Sequence, residues 1–136
     1  MPARDASGLP DDITITELRA GADRVLLITG GAAHIGASST AYAAEGKIRV
    51  DTSAVPGHKE YTLSADFARR AAEALRVTVT VIMGIHYDDL TPEQLGRVIQ
   101  SAESKFSEYL SANCETAAAL PAYRIANEPF SGEEVR

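Results

Sequence analysis

The sequence has one cysteine, no tryptophan, few other aromatic residues and no long apolar run. Because Cys114 has no partner in the chain, an intrachain disulfide is excluded, which fits a reducing compartment. Aromatic residues make up 6% of the chain, so the core must be largely aliphatic. The longest apolar run, Val77–Ile85, is interrupted by threonine and glycine and is too short to cross a membrane. The N-terminus lacks an apolar signal core, and we therefore predict a cytoplasmic protein without membrane contact.

Basic residues are also in the minority. The chain has 13 lysines and arginines against 19 acidic residues, which gives a formal net charge of −6. This balance argues against a protein that coats DNA, because neutralising phosphates requires clustered basic side chains. A small ligand that carries a phosphate is not excluded, since it needs only a few local donors. With 136 residues, 45% of them hydrophobic, the chain can form one domain with a buried core.

The distribution of apolar residues predicts the element order ββββαβα. The β-branched run after the first helix is typical of a strand buried on both faces. Thr91, Pro92 and Gln94 form a capping-box pattern, which marks the start of the second helix. The predicted strands cover Ile13–Thr16, Val25–Ile28, Ser38–Ala44, Ile48–Asp51 and Val77–Ile82, and the predicted helices cover Glu60–Leu75 and Pro92–Ala112.

This order predicts an α+β fold, a two-layer sandwich of sheet and helices. A mostly antiparallel sheet of about five strands would carry both helices on one face. The helix between Asp51 and Val77 is long enough to cross over to a parallel strand. We predict a flexible leader over residues 1–11, one domain over residues 12–112, and a C-terminal tail or docking arm over residues 113–136.

The three histidines, His34, His58 and His86, occupy similar places in the sequence. Each follows an apolar strand or extended segment, and each has a glycine within two residues. Glycine allows positive φ angles and close backbone approach, so such turns can expose N–H groups to a ligand. Ligands of layered α/β folds commonly bind at strand ends. We therefore predict that the three histidines share one ligand site.

A metal is one ligand that fits such a site. Three neutral imidazoles can hold zinc and leave one position open for water. The carboxylate that a catalytic zinc site also needs can come from Glu60, Asp88 or Asp89. No two of the histidines have the short spacing typical of a metal-binding motif, so this signal is weak.

An anion is the other ligand that fits. His58 and Lys59 can form a positive pair just before a helix, whose N-terminus favours a phosphate. The sequence contains neither a Walker loop nor a G-x-G-x-x-G motif, which argues against a standard nucleotide enzyme. Mobile backbone donors around His34 can come from the nearby glycines, which are Gly30, Gly31 and Gly36.

Three short motifs in this order resemble a known family. They are Gly30–Ala37 (GGAAHIGA), Pro56–Glu60 (PGHKE) and Gly84–Asp88 (GIHYD). Together with the strands and helices predicted between them, they are similar to the prenylated flavin chaperones (LpdD-like), which are found with UbiD-type hydroxyarylic acid decarboxylases. The resemblance covers about Asp12–Leu110, which is most of the chain.

The resemblance implies an accessory protein that is not an enzyme. Such a protein binds prenylated FMN, or FMN itself, and delivers it to a UbiD-type decarboxylase or protects it for that enzyme. A flavin prenyltransferase makes the cofactor, and the family's assemblies suggest a homo-oligomer, a dimer or larger. The implied cofactor-binding residues are Gly30, Gly31, His34, Ile35, Gly36, Gly57, His58, Lys59, His86 and Tyr87, with no catalytic residue and no metal ligand.

Within this set the resemblance implies different roles. His58 and Lys59 would bind near the phosphate, and His86 would close the pocket. Tyr87 stands where an aliphatic residue is expected, and its ring can stack on an isoalloxazine or pack against the protein. Two other functions stay open: a His-liganded metal-dependent hydrolase of a small phosphorylated substrate, and a structural subunit that only stabilises a decarboxylase.

Overall fold

The structure of the chain, a computed structural model, describes residues 8–119, with side chains as far as Cys114. Its elements follow the predicted order ββββαβα. The strands are β1 (Thr14–Ala20), β2 (Asp23–Gly31), β3 (Ala37–Ala44), β4 (Lys47–Ala54) and β5 (Val79–His86), and the helices are α1 (Tyr61–Leu75) and α2 (Pro92–Ala119).

The five strands form one sheet in the order β1-β2-β5-β3-β4. β2 and β5 pair in parallel, and the other three pairs are antiparallel. Because β3 is antiparallel to both β4 and β5, those two strands run in the same direction, and α1 is the crossover between them. The prediction of an α+β fold with a mostly antiparallel sheet is confirmed.

The hydrophobic core lies between the sheet and the two helices. Its centre is a pair of stacked rings, Phe67 of α1 and Phe106 of α2, whose centroids are 4.1 Å apart. Leu26, Ile28 and other inward-facing strand residues pack beneath them. Both helices therefore cover the same face of the sheet, as predicted.

The start of α2 is fixed by reciprocal hydrogen bonds. The Gln94 amide N–H donates to Thr91 Oγ1 at 3.1 Å, and the Thr91 amide N–H donates to Gln94 Oε1 at 3.0 Å. These two bonds satisfy N–H groups that the first turn of a helix leaves without a partner. The capping box predicted from the sequence is confirmed.

The predicted end of α2 is wrong, because the helix does not stop at Ala112 but continues to Ala119. The added segment has no long apolar face, which is why the pattern suggested a boundary. Asn113 is nevertheless held by the sheet, since its Oδ1 accepts a hydrogen bond from buried Arg24 at 3.0 Å. Alanine has high helix propensity, so the alanines in the sequence that follows favour continuation of the helix.

The expectation that the last strand is buried on both faces is also wrong. Val79, Val81 and Met83 are fully buried beneath the helices. Thr80 and Ile82 point to the opposite face and are only half-buried. Valine, isoleucine and threonine favour a strand on either kind of surface, so the run could not distinguish one covered face from two.

The predicted leader over residues 1–11 and tail over residues 113–136 fall largely outside the described residues. Where the leader is described, Leu9 packs against the core. Within residues 8–119, neither helix is long and apolar enough to cross a membrane.

Candidate functional site

The three histidines lie at one edge of the sheet, where the carboxyl ends of β2, β4 and β5 meet. β2 and β5 end side by side, with Gly31 paired to His86. His34 follows β2, and His58 follows β4, which runs in the same direction as β5. The three histidines therefore lie near one another, with the His34 ring centroid 4.7 Å from that of His58 and 6.2 Å from that of His86, because these strands run in the same direction. That they share one ligand stays a prediction.

His34 and His58 meet a carboxylate in a compact group, which we call the His–Glu cluster (His34, His58 and Glu60). His34 Nε2 lies 3.1 Å from His58 Nδ1 and 3.2 Å from Glu60 Oε1. His58 Nδ1 lies 3.8 Å from Glu60 Oε2. The three side chains are 25%, 35% and 14% exposed, respectively, so the cluster is largely shielded from water.

A glycine leaves the space that the Glu60 side chain occupies. It is the N-cap residue of α1, but its side chain makes no capping hydrogen bond and points to the histidines instead. A Cβ atom on Gly36 would lie 2.5 Å from Glu60 Oε2, so only glycine leaves room for this carboxylate. Gly36 therefore contributes to the site by leaving space for the Glu60 carboxylate.

His86 stands apart from the His–Glu cluster. Its ring centroid is 6.2 Å from that of His34, with the two rings nearly perpendicular. Its Nε2 lies 2.9 Å from Asp88 Oδ1, and 53% of the side chain is exposed. His86 is therefore close enough to share a ligand with the cluster, but it is not part of it.

The glycine-rich loop after β2 packs tightly against the end of β5. A Cβ atom on Gly84 would overlap the carbonyl of His34, and one on Gly31 would overlap the carbonyl of His86. The Tyr87 hydroxyl donates to Asp12, whose carboxylate also accepts from the Gly31 amide at 3.2 Å. These close approaches fix the loop that carries His34.

The expectation that Gly31 and Gly36 supply mobile backbone donors is wrong. The Gly31 amide is bound to Asp12, and the Gly36 amide donates to the Met83 carbonyl at 2.9 Å. The Ala32 amide likewise donates to the His86 carbonyl at 2.9 Å. These N–H groups stabilise the loop and are not available to a phosphate.

A cleft of about 670 Å³ opens beside the cluster, between α1 and α2 at the end of β5. We call it the α1–α2 cleft. Its volume falls within the range of about 300–1,000 Å³ typical of small-molecule sites. Polar side chains, among them His58, Lys59 and His86, stand along part of its lining. Its apolar lining consists of Leu63, Met83, Ile85, Leu90, Leu95, Val98, Ile99 and Ala102, together with the ring of Tyr87.

The sequence-predicted cofactor residues divide into two groups around this cleft. Gly57, His58, Lys59, His86 and Tyr87 line it. The remaining five do not, although His34 contacts His58 and Glu60, which do. Those five are Gly30, Gly31, His34, Ile35 and Gly36.

The charge near the cleft mouth is mixed. Lys59 is exposed, and no carboxylate of the described residues lies within ion-pair distance of it. The negative charge of Glu60 lies close to His34 and His58, where an anion would be expected to bind. A phosphate on these two imidazoles would therefore be repelled by Glu60 unless another positive charge is present.

The sequence did not indicate several residues that shape the site. Asp12 joins Gly31 to Tyr87, and nothing in its local sequence distinguishes it from other loop aspartates. Leu95 and Ile99 were assigned to the core-facing stripe of α2, yet they are 49% and 44% exposed and line the cleft. The apolar stripe of α2 is wider than the part that the core buries, and this excess width is the signal that could have indicated the cleft.

Comparisons with known proteins place the same region in a family. A family model described as a prenylated flavin chaperone LpdD-like domain matches residues 9–113. The match includes all five strands, α1 and the part of α2 that lines the cleft. A search of curated proteins found no match.

Proposed function

The chain belongs to the family of prenylated flavin chaperone LpdD-like domains, and from this we propose that its α1–α2 cleft binds prenylated FMN, or FMN itself. We further propose that the protein delivers this cofactor to a UbiD-type aromatic acid decarboxylase, or protects it for that enzyme. In this role the chain is an accessory protein, and a flavin prenyltransferase supplies its cargo. Family membership gives no support to the alternative of a metal-dependent hydrolase.

The observation that carries the proposal is the two-sided chemistry of the cleft. Prenylated FMN combines a large apolar ring system with a phosphate at the end of a polar chain. The apolar wall formed by Leu63, Leu95 and Ile99 suits the ring system. His58, Lys59 and His86 are the nearby groups that can meet the phosphate.

The predicted cofactor residues outside the cleft have supporting roles in this proposal. His34 and Ile35 lie on the loop beside the cleft mouth, and 60% of Ile35 is exposed and available to a ligand. Gly30, Gly31 and Gly36 shape that loop through their close packing. Tyr87 offers its ring to the cleft while its hydroxyl is bound to Asp12.

Co-expression with a flavin prenyltransferase tests whether the cofactor binds. We expect the purified protein to be coloured and to release prenylated FMN, identified by its absorbance spectrum and mass. Ile99→Trp fills the cleft and should lower flavin content on the order of tenfold, a loss of about 1.4 kcal/mol in binding. Gln100→Trp, on the neighbouring exposed position of α2, is the matched control and should bind normally. Colourless wild-type protein contradicts the proposal.

Transfer to a decarboxylase tests the second half of the proposal. Loaded protein should activate a UbiD-type apo-decarboxylase, and Lys59→Ala should load and transfer less than the control Lys47→Ala, which changes an exposed lysine away from the cleft. If Lys59→Ala and Ile99→Trp activate the decarboxylase as well as wild type does, the chain acts only as a structural subunit.

We also propose a homo-oligomer in the cytoplasm. The sheet face opposite the helices carries half-buried Val25, Leu27 and Ile82, and nearby Leu18 is 62% exposed, which gives an apolar surface suited to self-association.

The free, exposed Cys114 fits a reducing compartment, which supports the proposed location in the cytoplasm. Sedimentation of the purified chain as a monomer contradicts the first proposal, and recovery outside the cytoplasm on fractionation contradicts the second.

A further inference from the structure

We infer that the His–Glu cluster is a binding site for a divalent transition-metal ion of the zinc type. His34 Nε2, His58 Nδ1 and a carboxylate oxygen of Glu60 all lie within 4.8 Å of one another. The inference rests on the geometry of these three side chains and is independent of the proposed flavin function.

The protonation of His34 directs an electron pair into the cluster. His34 Nδ1 lies 3.1 Å from the Ala32 carbonyl oxygen, and because a carbonyl only accepts, Nδ1 carries the proton. In the neutral ring, Nε2 then has its lone pair free to accept from His58 Nδ1 at 3.1 Å, and it also lies 3.2 Å from Glu60 Oε1. A metal ion in the cluster would take the place of the proton on His58 Nδ1, which the other ring nitrogen of His58 can carry instead. Metal-binding histidines show the same arrangement, with the second ring nitrogen donating to a backbone carbonyl.

Glu60 contributes an unsatisfied oxygen to the cluster. Its Oε2 is buried and has no hydrogen-bond partner among the described residues. The missing side chain of Gly36 leaves the space that this carboxylate occupies, because a Cβ atom there would lie 2.5 Å from Oε2. A buried carboxylate oxygen without a donor is costly, so a cation between Glu60 and the imidazoles would remove an unfavourable interaction.

The distances between the ligand atoms fit such an ion. Two ligands bound tetrahedrally to zinc, each about 2.0–2.1 Å from it, lie about 3.3 Å apart. The nitrogen–nitrogen distance is 3.1 Å, and the two nitrogen–oxygen distances are 3.2 and 3.8 Å. Two imidazoles and one carboxylate form a known zinc ligand set that leaves a fourth position open.

The open position would face the mouth of the α1–α2 cleft, because His58 and Glu60 line that cleft. A divalent ion with two neutral imidazoles and one carboxylate leaves a net charge of about +1. This charge would remove the repulsion that Glu60 exerts on an anion bound there. Only this consequence rests on the proposed function, since it concerns the phosphate of the cofactor.

Equilibrium binding of Zn²⁺ to untagged, chelator-treated protein without flavin tests the inference. We expect one ion per chain, and substitution of Co²⁺ should give a visible absorption spectrum typical of nitrogen and oxygen ligands. Glu60→Gln and His34→Ala should each weaken Zn²⁺ binding at least about 100-fold. Glu45→Gln, in an exposed turn, is the matched control and should bind as wild type does.

Thermal unfolding supplies a second measurement that remains informative if a variant folds poorly. Saturating Zn²⁺ should raise the Tm of wild type and of Glu45→Gln but not that of the isosteric Glu60→Gln. The inference is overturned if wild-type protein binds no Zn²⁺, or if Glu60→Gln binds Zn²⁺ as well as wild type does. In either case the His–Glu cluster is not the metal site. Flavin binding measured in the presence of a chelator separates this outcome from failure of the proposed function.

Discussion

Two polar clusters lie at opposite ends of β2, and they differ in how their charges are compensated. At the start of the strand, Arg24, Glu17, Tyr109 and Asn113 form the Arg24 cluster. Arg24 Nη1 donates to Tyr109 Oη and Asn113 Oδ1, both at 3.0 Å, and lies 3.4 Å from Glu17 Oε2. Past the other end of β2, the His–Glu cluster leaves Glu60 Oε2 buried without a hydrogen-bond donor among the described residues.

The difference indicates which cluster is structural. In the Arg24 cluster a cation meets acceptors, and Tyr109 donates its own proton to Glu17. This group ties β1 and β2 to α2. Although Arg24 Nε is buried without a hydrogen-bond partner among the described residues, the opposite charges of Arg24 and Glu17 compensate each other within one chain. The His–Glu cluster needs an added positive charge, which is what a ligand site on a stable scaffold requires. Substitutions at the two ends should therefore have opposite consequences for stability.

The largest expected effect comes from removing the buried cation. Arg24→Met should lower the free energy of unfolding by about 3 kcal/mol, because it leaves Glu17 and Asn113 without their buried donor. Arg19→Met is the matched control, since Arg19 binds the same carboxylate at 2.7 Å but has a side chain 47% exposed. Urea denaturation of both variants measures the difference. Equal losses would mean that burial does not distinguish the two arginines.

Replacing glutamate by glutamine should change the free energy of unfolding differently at the two clusters. Glu17→Gln should cost about 1–2 kcal/mol, because it weakens hydrogen bonds from Tyr109 and the arginines. Glu60→Gln should leave the metal-free protein as stable as wild type or more stable, since its amide can donate where the carboxylate cannot. Urea denaturation in mildly alkaline buffer with a chelator makes the comparison. A large loss for Glu60→Gln would instead indicate a protonated histidine paired with the carboxylate.

The cost of Glu17→Gln should also depend on pH. Burial alone would raise the pKa of Glu17, but hydrogen bonds from Tyr109 and Arg19 and the charges of Arg19 and Arg24 outweigh it and lower that pKa below its ordinary value of 4.5. A lowered carboxyl pKa stabilises the fold above the unfolded value, and this contribution is lost as the pH falls through the folded pKa. The difference in free energy of unfolding between wild type and Glu17→Gln should therefore become smaller as the pH falls below the ordinary pKa of Glu17, and urea denaturation at a series of acidic pH values measures it.

Most of the fold could be predicted because local patterns determined it. The reciprocal bonds of Thr91 and Gln94 were visible as a capping box, and the length of α1 allowed a crossover. The end of α2 could not be predicted, because Asn113 is held by Arg24, which lies far away in the sequence. Tertiary contact overrode the local boundary signal there.

The candidate site was predictable to a smaller extent. The placement of each histidine after a strand indicated convergence, and parallel strands brought it about. The orientation of Glu60 could not be predicted, because it depends on space left by Gly36 in another loop. The role of Leu95 and Ile99 in the cleft wall could not be predicted, because the apolar periodicity of a helix does not distinguish residues buried in the core from residues that line a cleft.

The smallest expected effect tests the Arg24 cluster from its tyrosine. Burial, together with the hydrogen bond that Tyr109 donates to Glu17, raises the pKa of Tyr109 to about 12 from its ordinary value of 10.0. A raised tyrosine pKa stabilises the fold fully below the unfolded value, so this contribution should decline as the pH rises from about 10 to about 12. Tyr109→Phe should remove that decline, whereas Tyr42→Phe, which changes an exposed hydroxyl bound to Asp51, should largely preserve it. Urea denaturation across this range, with near-ultraviolet titration of the tyrosines, measures both variants. If the stability of Tyr109→Phe declines with pH as steeply as that of wild type, Tyr109 ionises as readily in the folded protein as in the unfolded chain. That result would contradict the effect assigned to its burial and its hydrogen bond to Glu17.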